Sequence, residues 1–322
     1  MLPEMIVEAL QSTLAPTVES HFADYLRGHD TTRWLIFSDY VLKQPDRPND
    51  VYSFTIIPGG KFLESLTAEF DATAVKDFKK GPQVGEEMLH LLSDKRLYTF
   101  CFIVDPSRTI TRNVLTLRQM MDATIEMMGR WQDVERNQDL IRAFKAMRRK
   151  ADSRGFNVRL MDDIIVATTL AAFLTYLICK LIPVERIGWF SDRDSITIAH
   201  QYIANHFYAA NVSAFCQRYL KGWRGPELGI NGPVEAGGTL WSDAFLRVPD
   251  HFACAISAWN IEQNSLSSAA PKYLQVMMDA VADRDNVHIL RVKFDWKDEK
   301  LSVASSRVAL SLATEDEKAG AS

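Results

Sequence analysis

An α/β fold, a mixed sheet flanked by helices, is what the apolar patterning predicts, and three observations carry the prediction. Four short aromatic and aliphatic runs have the length of buried strands: RWLIFSDYVL (33–42), VYSFTIIPGG (51–60), LYTFCFIVDP (97–106) and RIGWFSD (186–192). Longer segments with apolar residues at helical spacing separate the later ones. Near the end, HILRVKFDW alternates Leu290, Val292, Phe294 and Trp296 with charged Arg291, Lys293 and Asp295. That run turns at KDEK into LSVASS and RVALSL, the pattern of an antiparallel hairpin. Strands first, then single strands between helices, is a layered α/β order.

The elements follow in turn. Ile6, Leu10, Leu14, Val18 and Phe22 recur every four residues, an amphipathic helical segment within 1–32 that Pro16 breaks or kinks. The first two strands are joined by the polar PDRPND turn and should be antiparallel neighbours. Residues 62–93 read as mainly helical, and Pro106 stops the third strand. Residues 113–151 are a long helical stretch. IIVATTLAAFLTYLICKLI (164–182) is uncharged only as far as Cys179, short of the roughly 20 residues a membrane span needs, so a buried core helix is expected. SITIAHQYIANHFY continues as helix after the fourth strand. Residues 221–238 hold six of the fifteen glycines and read as a loop. A helix resumes over 243–261 with a start at Pro249. Residues 33–312 then form a single α/β domain with a helical insertion at about 107–182, and 313–322 a disordered tail.

Composition narrows the function classes. With 322 residues, 47% hydrophobic and 24% charged, the chain matches an ordinary globular protein with ample core. A net charge of −4 argues against a broadly cationic nucleic-acid coat but leaves room for a local basic face. Cys101, Cys179, Cys216 and Cys254 show no CxxC spacing, as expected of reduced, mostly buried thiols in a cytoplasmic protein. The opening MLPEMIVEALQSTLAP lacks the charge and apolar run of a signal peptide. Neither P-loop, GxSxG elbow nor HExxH motif occurs. The seven histidines do not cluster in sequence, and His200 and His206 fall on different helix faces.

Aspartates at the ends of apolar runs are what remains. Asp39 closes the first strand, Asp105 the third and Asp192 the fourth, while Asp250 opens an apolar helix. A lone strand-end carboxylate is usually solvated or caps the next helix, and Asp194 has the position of such a cap. Several on adjacent strands are different, because the carboxyl ends of central strands converge on one crevice. Carboxylates gathered there repel one another unless a hard divalent cation, Mg²⁺ or Mn²⁺, neutralises them. Two such ions activate water and stabilise the leaving oxygen of a phosphodiester.

The order LIFSDYV, SFTIIPGG, GWFSDRDS and FLRVPDHFACAI resembles a family of poorly characterised bacterial and phage proteins with a ribonuclease H-like fold. Its usual pattern is a first strand ending Asp-Glu-Ser-Gly, a glycine-containing second strand, a later strand ending Asp-Arg, and a helix with an Ala-Asp-Leu segment. The resemblance covers roughly residues 33–262 through short motifs. It implies a ribonuclease H-like mixed sheet, a metal-dependent nuclease acting on RNA or DNA, and Asp39, Asp192 and Asp250 as catalytic metal ligands with Asp194 as an auxiliary. Tyr40 stands where the family has Glu. This departure implies one metal instead of two, a ligand from Asp105 or Asp243, or a catalytically degenerate binding or assembly protein, for instance of a bacterial antiviral defence or mobile-element system.

The substrate side of the argument rests on RAFKAMRRKADSRGFNVR (142–159). Arg142, Lys145 and Arg149 fall along one helix face, with Arg148 beside them, and such a face either contacts phosphates or is simply solvated. Arg108 and Arg112 would add to it if the fold brings them near. Trp223 and Trp241 flank the glycine-rich loop and are expected to anchor it. The Met-rich MMDATIEMMGRW is expected in the core or at a subunit interface, so a protein partner or homo-oligomer stays open beside nucleic acid.

Overall fold

The computed structural model describes residues 2–73, 78, 81–131, 134–223, 225–230, 241–267, 270–298 and 300–311. In chain order the elements begin with α1 (Leu2–Leu14), α2 (Glu19–Arg27), β1 (Arg33–Val41), β2 (Asp50–Pro58), α3 (Lys61–Ala72), α4 (Glu86–Leu92) and β3 (Tyr98–Val104). Next come α5 (Val114–Gly129), α6 (Val134–Lys150), α7 (Val158–Leu181), β4 (Arg186–Ser191), α8 (Ser195–Tyr219) and β5 (Glu227–Ile230). The chain closes with α9 (Arg247–Ser257), β6 (Trp259–Asn260), β7 (Ser265–Leu266), α10 (Pro271–Gln275), a π-helical turn (Val276–Val281), β8 (Val287–Lys297) and β9 (Lys300–Val308). The α/β class and the terminal hairpin are as the patterning predicts, and Pro16 falls in the break between α1 and α2. The chain divides into two compact units, and the expected tail at 313–322 lies outside the described residues.

The strand-rich unit comprises Thr13–Pro106, Val234–Lys293 and the chain from Ser305. Its β1, β2 and β3 form an antiparallel meander without a bulge, and β8 joins β3 in parallel from Thr99↔Val287 to Val104↔Val292. β9 lies beside β8. The sheet is therefore mixed, and the side chains of each strand alternate between two covered faces. On one face Trp34, Tyr98 and Phe100 meet α2, whose Tyr25 ring sits 5.9 Å from Trp34 and whose Phe22 ring sits 4.7 Å from Tyr98 and 5.3 Å from Phe100. The Tyr25 hydroxyl reaches the Ile56 carbonyl at 3.0 Å and that of Arg96 at 2.8 Å. The opposite face presents Phe37, Asp39, Ser53, Thr55, Thr99 and Cys101, and α9 packs on it. Its small polar residues pair across strands, Thr55 with Thr99 at 3.0 Å and Ser53 with the Cys101 sulfur at 3.5 Å. Short side chains let the helix approach the sheet closely, and pairing them removes the cost of burying hydroxyls.

The helix-rich unit comprises Met1–Ser12, Ser107–Pro233 and Phe294–Ala304. Its centre is α7, every residue of which is buried from Met161 to Ile178. This helix is long and apolar enough to cross a membrane, yet 83% of its most apolar window is buried inside the protein, as expected of a core helix. α8 packs along it, α6 packs on α8 through Phe144 against Phe207 at 4.5 Å, and α5 packs on α6. Met121 and Met128 of the Met-rich segment are buried in this core.

Besides the helix expected over 243–261 from Pro249, which runs Arg247–Ser257 and gives way to β6 at Trp259–Asn260, two features depart from the sequence reading. Residues 227–230, inside the expected glycine-rich loop, pair in parallel with β4 from Arg186↔Glu227 to Trp189↔Ile230. A four-residue strand among glycines carries too little apolar pattern to be read as one; residues 231–240 of that loop lie outside the described residues. The second departure is inside α8, where His200, Gln201 and Tyr202 take left-handed backbone angles (φ 48°, 59° and 61°) and interrupt the helix.

Candidate functional site

Asp39 and Asp250 belong to the strand-rich unit, and the sheet register places them. Asp39 pairs with Ser53 of β2, which pairs with Cys101 of β3, so the three share the face that α9 covers. Asp39 is half-buried, and its Oδ1 accepts the Tyr40 backbone N–H at 2.7 Å. α9 runs along β1 in the same direction. Phe245, just before the helix, stacks on Phe37 at 5.1 Å, and past the end of β1 Asn49 donates to the carbonyls of Ile256 (3.2 Å) and Trp259 (2.6 Å). Asp250 lies in the first turn of α9, where the helix dipole favours a carboxylate. The Cys254 thiol, one turn on, donates to Asp250 Oδ1 at 3.4 Å, a partner visible in the sequence only as the i+4 position. Tyr40, which the resemblance sets against a glutamate, points to the opposite sheet face and pairs its hydroxyl with Ser38 at 2.8 Å.

Asp192 and Asp194 belong to the helix-rich unit. Asp192 is exposed just past β4, with Oδ1 accepting the Arg193 N–H at 2.7 Å. Asp194 is the N-cap of α8: its Oδ1 accepts from the N–H groups of Ile196 (2.9 Å) and Thr197 (3.0 Å) and from the Thr197 hydroxyl (3.1 Å). Burial raises the carboxyl pKa of Asp194 above the usual range although those donors pull it down. Among the described residues no three His, Cys, Asp or Glu side chains are gathered to hold a metal ion.

The basic segment is α6 and the turn after it. Arg142 and Lys145 are exposed, as is Arg149, but Arg142 is ion-paired with Asp139, and half-buried Arg148 with Asp122 of α5. The expectation that Arg108 might extend this face is corrected. Its side chain is 2% exposed and bound to buried Asp163 of α7 at 2.7 Å. Arg112 lies over the Trp296 ring at 4.3 Å. Trp241 is 47% exposed yet meets Phe37 and Phe245 edge-on, the anchoring role expected of it.

Three clusters escaped the sequence reading. Asp162, beside Asp163, accepts from the N–H groups of Ile110 (3.3 Å) and Thr111 (3.1 Å) and from the Thr111 hydroxyl, and burial raises its pKa. The signal was an adjacent acid pair heading an otherwise apolar helix. The histidines do cluster in one place: His288 Nε2 and the Tyr98 hydroxyl are 2.6 Å apart, with His21 Nδ1 3.2 Å from the same hydroxyl. Residues so far apart in sequence leave no local signal. Finally, Glu86, His90, Asp94, Lys95, Asp279 and Arg284 line an open cleft of about 560 Å³ that includes none of the four aspartates. No family model, curated protein or solved structure matches this chain.

Proposed function

We propose that this chain is a metal-dependent nuclease of the ribonuclease H-like kind, hydrolysing phosphodiester bonds in RNA or DNA. The observation that supports the reading is the placement of Asp39 on the sheet face covered by α9, the helix that carries Asp250 in its first turn. A three-ligand cage is not required of such a pair. Mg²⁺ is commonly held by one or two carboxylates, completing its shell with water and substrate phosphate. Asp39 and Asp250 would hold Mg²⁺ or Mn²⁺, which when bound would supply an activated water. Their own part is to fix negative charge on facing elements, while the exposed cations of α6 offer contacts for a phosphate backbone.

Thermal unfolding in EDTA, Mg²⁺ and Mn²⁺ tests the reading on wild type, Asp39→Asn and Asp250→Asn, alongside cleavage of end-labelled single-stranded RNA and DNA. Both substitutions keep an acceptor oxygen while removing the charge. A cation bound only by the folded state, at about 100 times its Kd, stabilises by about 2.7 kcal/mol. The expected result is a Mn²⁺-induced rise in melting temperature and cleavage by wild type alone. Tyr40, with its hydroxyl engaged by Ser38, favours the second reading, a catalytically degenerate binding or assembly protein of the same fold. Oligonucleotide binding with neither metal response nor cleavage would replace the first reading by the second.

A further inference from the structure

The sheet register and α2 bring two histidines onto one tyrosine. His288 of β8 is in register with Phe100 of β3, two residues on from Tyr98, so His288 and Tyr98 point to the same sheet face. α2 covers that face and brings His21 to it. Both imidazoles meet the Tyr98 hydroxyl, His288 through Nε2 at 2.6 Å and His21 through Nδ1 at 3.2 Å, and the two imidazole rings are 6.4 Å apart. A buried phenol needs one acceptor for its one proton, and here it has two basic nitrogens. Tyr98 and His288 are buried, whereas His21 is exposed and opens the cluster to solvent.

We propose that His21, Tyr98 and His288 form a binding site for a divalent transition-metal cation of the Zn²⁺ or Cu²⁺ kind. Imidazole nitrogen suits such ions, whereas Mg²⁺ and Mn²⁺ favour carboxylate and water. Zn²⁺ holds histidine nitrogens at about 2.0–2.1 Å in tetrahedral geometry, which spaces neighbouring donor atoms about 3.3 Å apart. The 3.2 Å separation matches this, and the 2.6 Å one needs to open by about 0.7 Å, a side-chain adjustment. On binding, the ion takes the place of the two hydrogen bonds. Both imidazoles coordinate as neutral ligands and the phenol proton leaves to solvent, so the phenolate turns one negative charge toward the cation. The charges acting on Tyr98 from nearby, those of Arg307 and Asp285, are opposite in sign. Water entering past His21 fills the fourth position. The site is separate from the acidic pair, because the register puts Asp39 on the other face of the sheet.

The test strips the tag-free full-length chain with EDTA, then titrates it with Zn²⁺ by calorimetry and with Cu²⁺ by visible absorbance. The expected results are one strongly bound equivalent of Zn²⁺, a rise in melting temperature with it, and a phenolate-to-copper charge-transfer band with Cu²⁺. His21→Ala, at an exposed position, should weaken Zn²⁺ binding by about 100-fold or more, and Tyr98→Phe should remove the copper band. Should Tyr98→Phe fail to fold, His21→Ala and the wild-type spectrum decide. Asp39→Asn should bind Zn²⁺ as wild type does. No Zn²⁺ binding at millimolar concentration, binding that survives His21→Ala unchanged, a copper complex without the band, or loss of Zn²⁺ in Asp39→Asn would each overturn the proposal.

Discussion

Asp192 and Asp194 are two positions apart, and their different surroundings show what a single residue's setting decides. Asp194 closes the first turn of α8 with two backbone donors, whereas Asp192 meets solvent beyond β4. Asp194→Ala should cost about 1 kcal/mol in chemical denaturation, and Asp194→Asn much less, since Asn caps as well as Asp. The sequence suggested the cap from position alone. It gave no hint of the histidine environment at Tyr98, which governs pH behaviour. Burial lowers the His288 pKa to about 3, with Arg307 and His21 adding to the effect, from an ordinary value of about 6.5. A depressed folded pKa means that this residue's stabilising contribution is present above pH 6.5 and drains away as the pH falls toward 3. His288→Gln keeps an acceptor for Tyr98 and removes the titration. Its unfolding free energy, measured in urea from pH 3 to 7, should fall less steeply than wild type, by up to about 1.4 kcal/mol per pH unit.

At the scale of elements, the long apolar runs were legible and the short or strained pieces were not. β1, β2 and β3 are fixed by aromatic and β-branched residues that fit a covered sheet, and α7 by an apolar run too long for a strand. β5 is the opposite case: it exists because β4 offers a paired edge, which no window of its own sequence records. The break in α8 is likewise invisible, because IAHQYIANHF has ordinary helical composition while three of its residues adopt a backbone that costs L-residues about 1–2 kcal/mol each. Gln201 is exposed and its side chain is dispensable to packing. Gln201→Gly should therefore stabilise the protein by about 1 kcal/mol, the reverse of glycine's usual effect in a helix. A shift of the urea midpoint to lower concentration would show that the left-handed turn costs the chain nothing.

For the whole molecule, a net charge of −4 coexists with a cationic helix, and the two act at different ranges. The overall charge repels a polyanion at a distance, while Lys145 and Arg149 act locally, their neighbours Arg142 and Arg148 being held by Asp139 and Asp122. Under the proposed nucleic-acid reading, Lys145→Ala and Arg149→Ala should each reduce the slope of log affinity against log salt by about 0.7 for a single strand. Fluorescence anisotropy of a labelled oligonucleotide from low to physiological salt measures it, and an unchanged slope would move the contact elsewhere. The helix stripe of cations was legible in the sequence; which of them an acid already occupies was not, because those acids sit on other turns and other helices. The strand order has one more consequence, for synthesis. β3 hydrogen-bonds along one edge to β2, made shortly before it, and along the other to β8, made long after it. A nascent chain halted anywhere before Val287 carries an apolar strand with an open edge, a template for pairing with the wrong neighbour. Translation rate and chaperone supply thus bear on the yield of this protein more than on that of a chain whose sheet closes early.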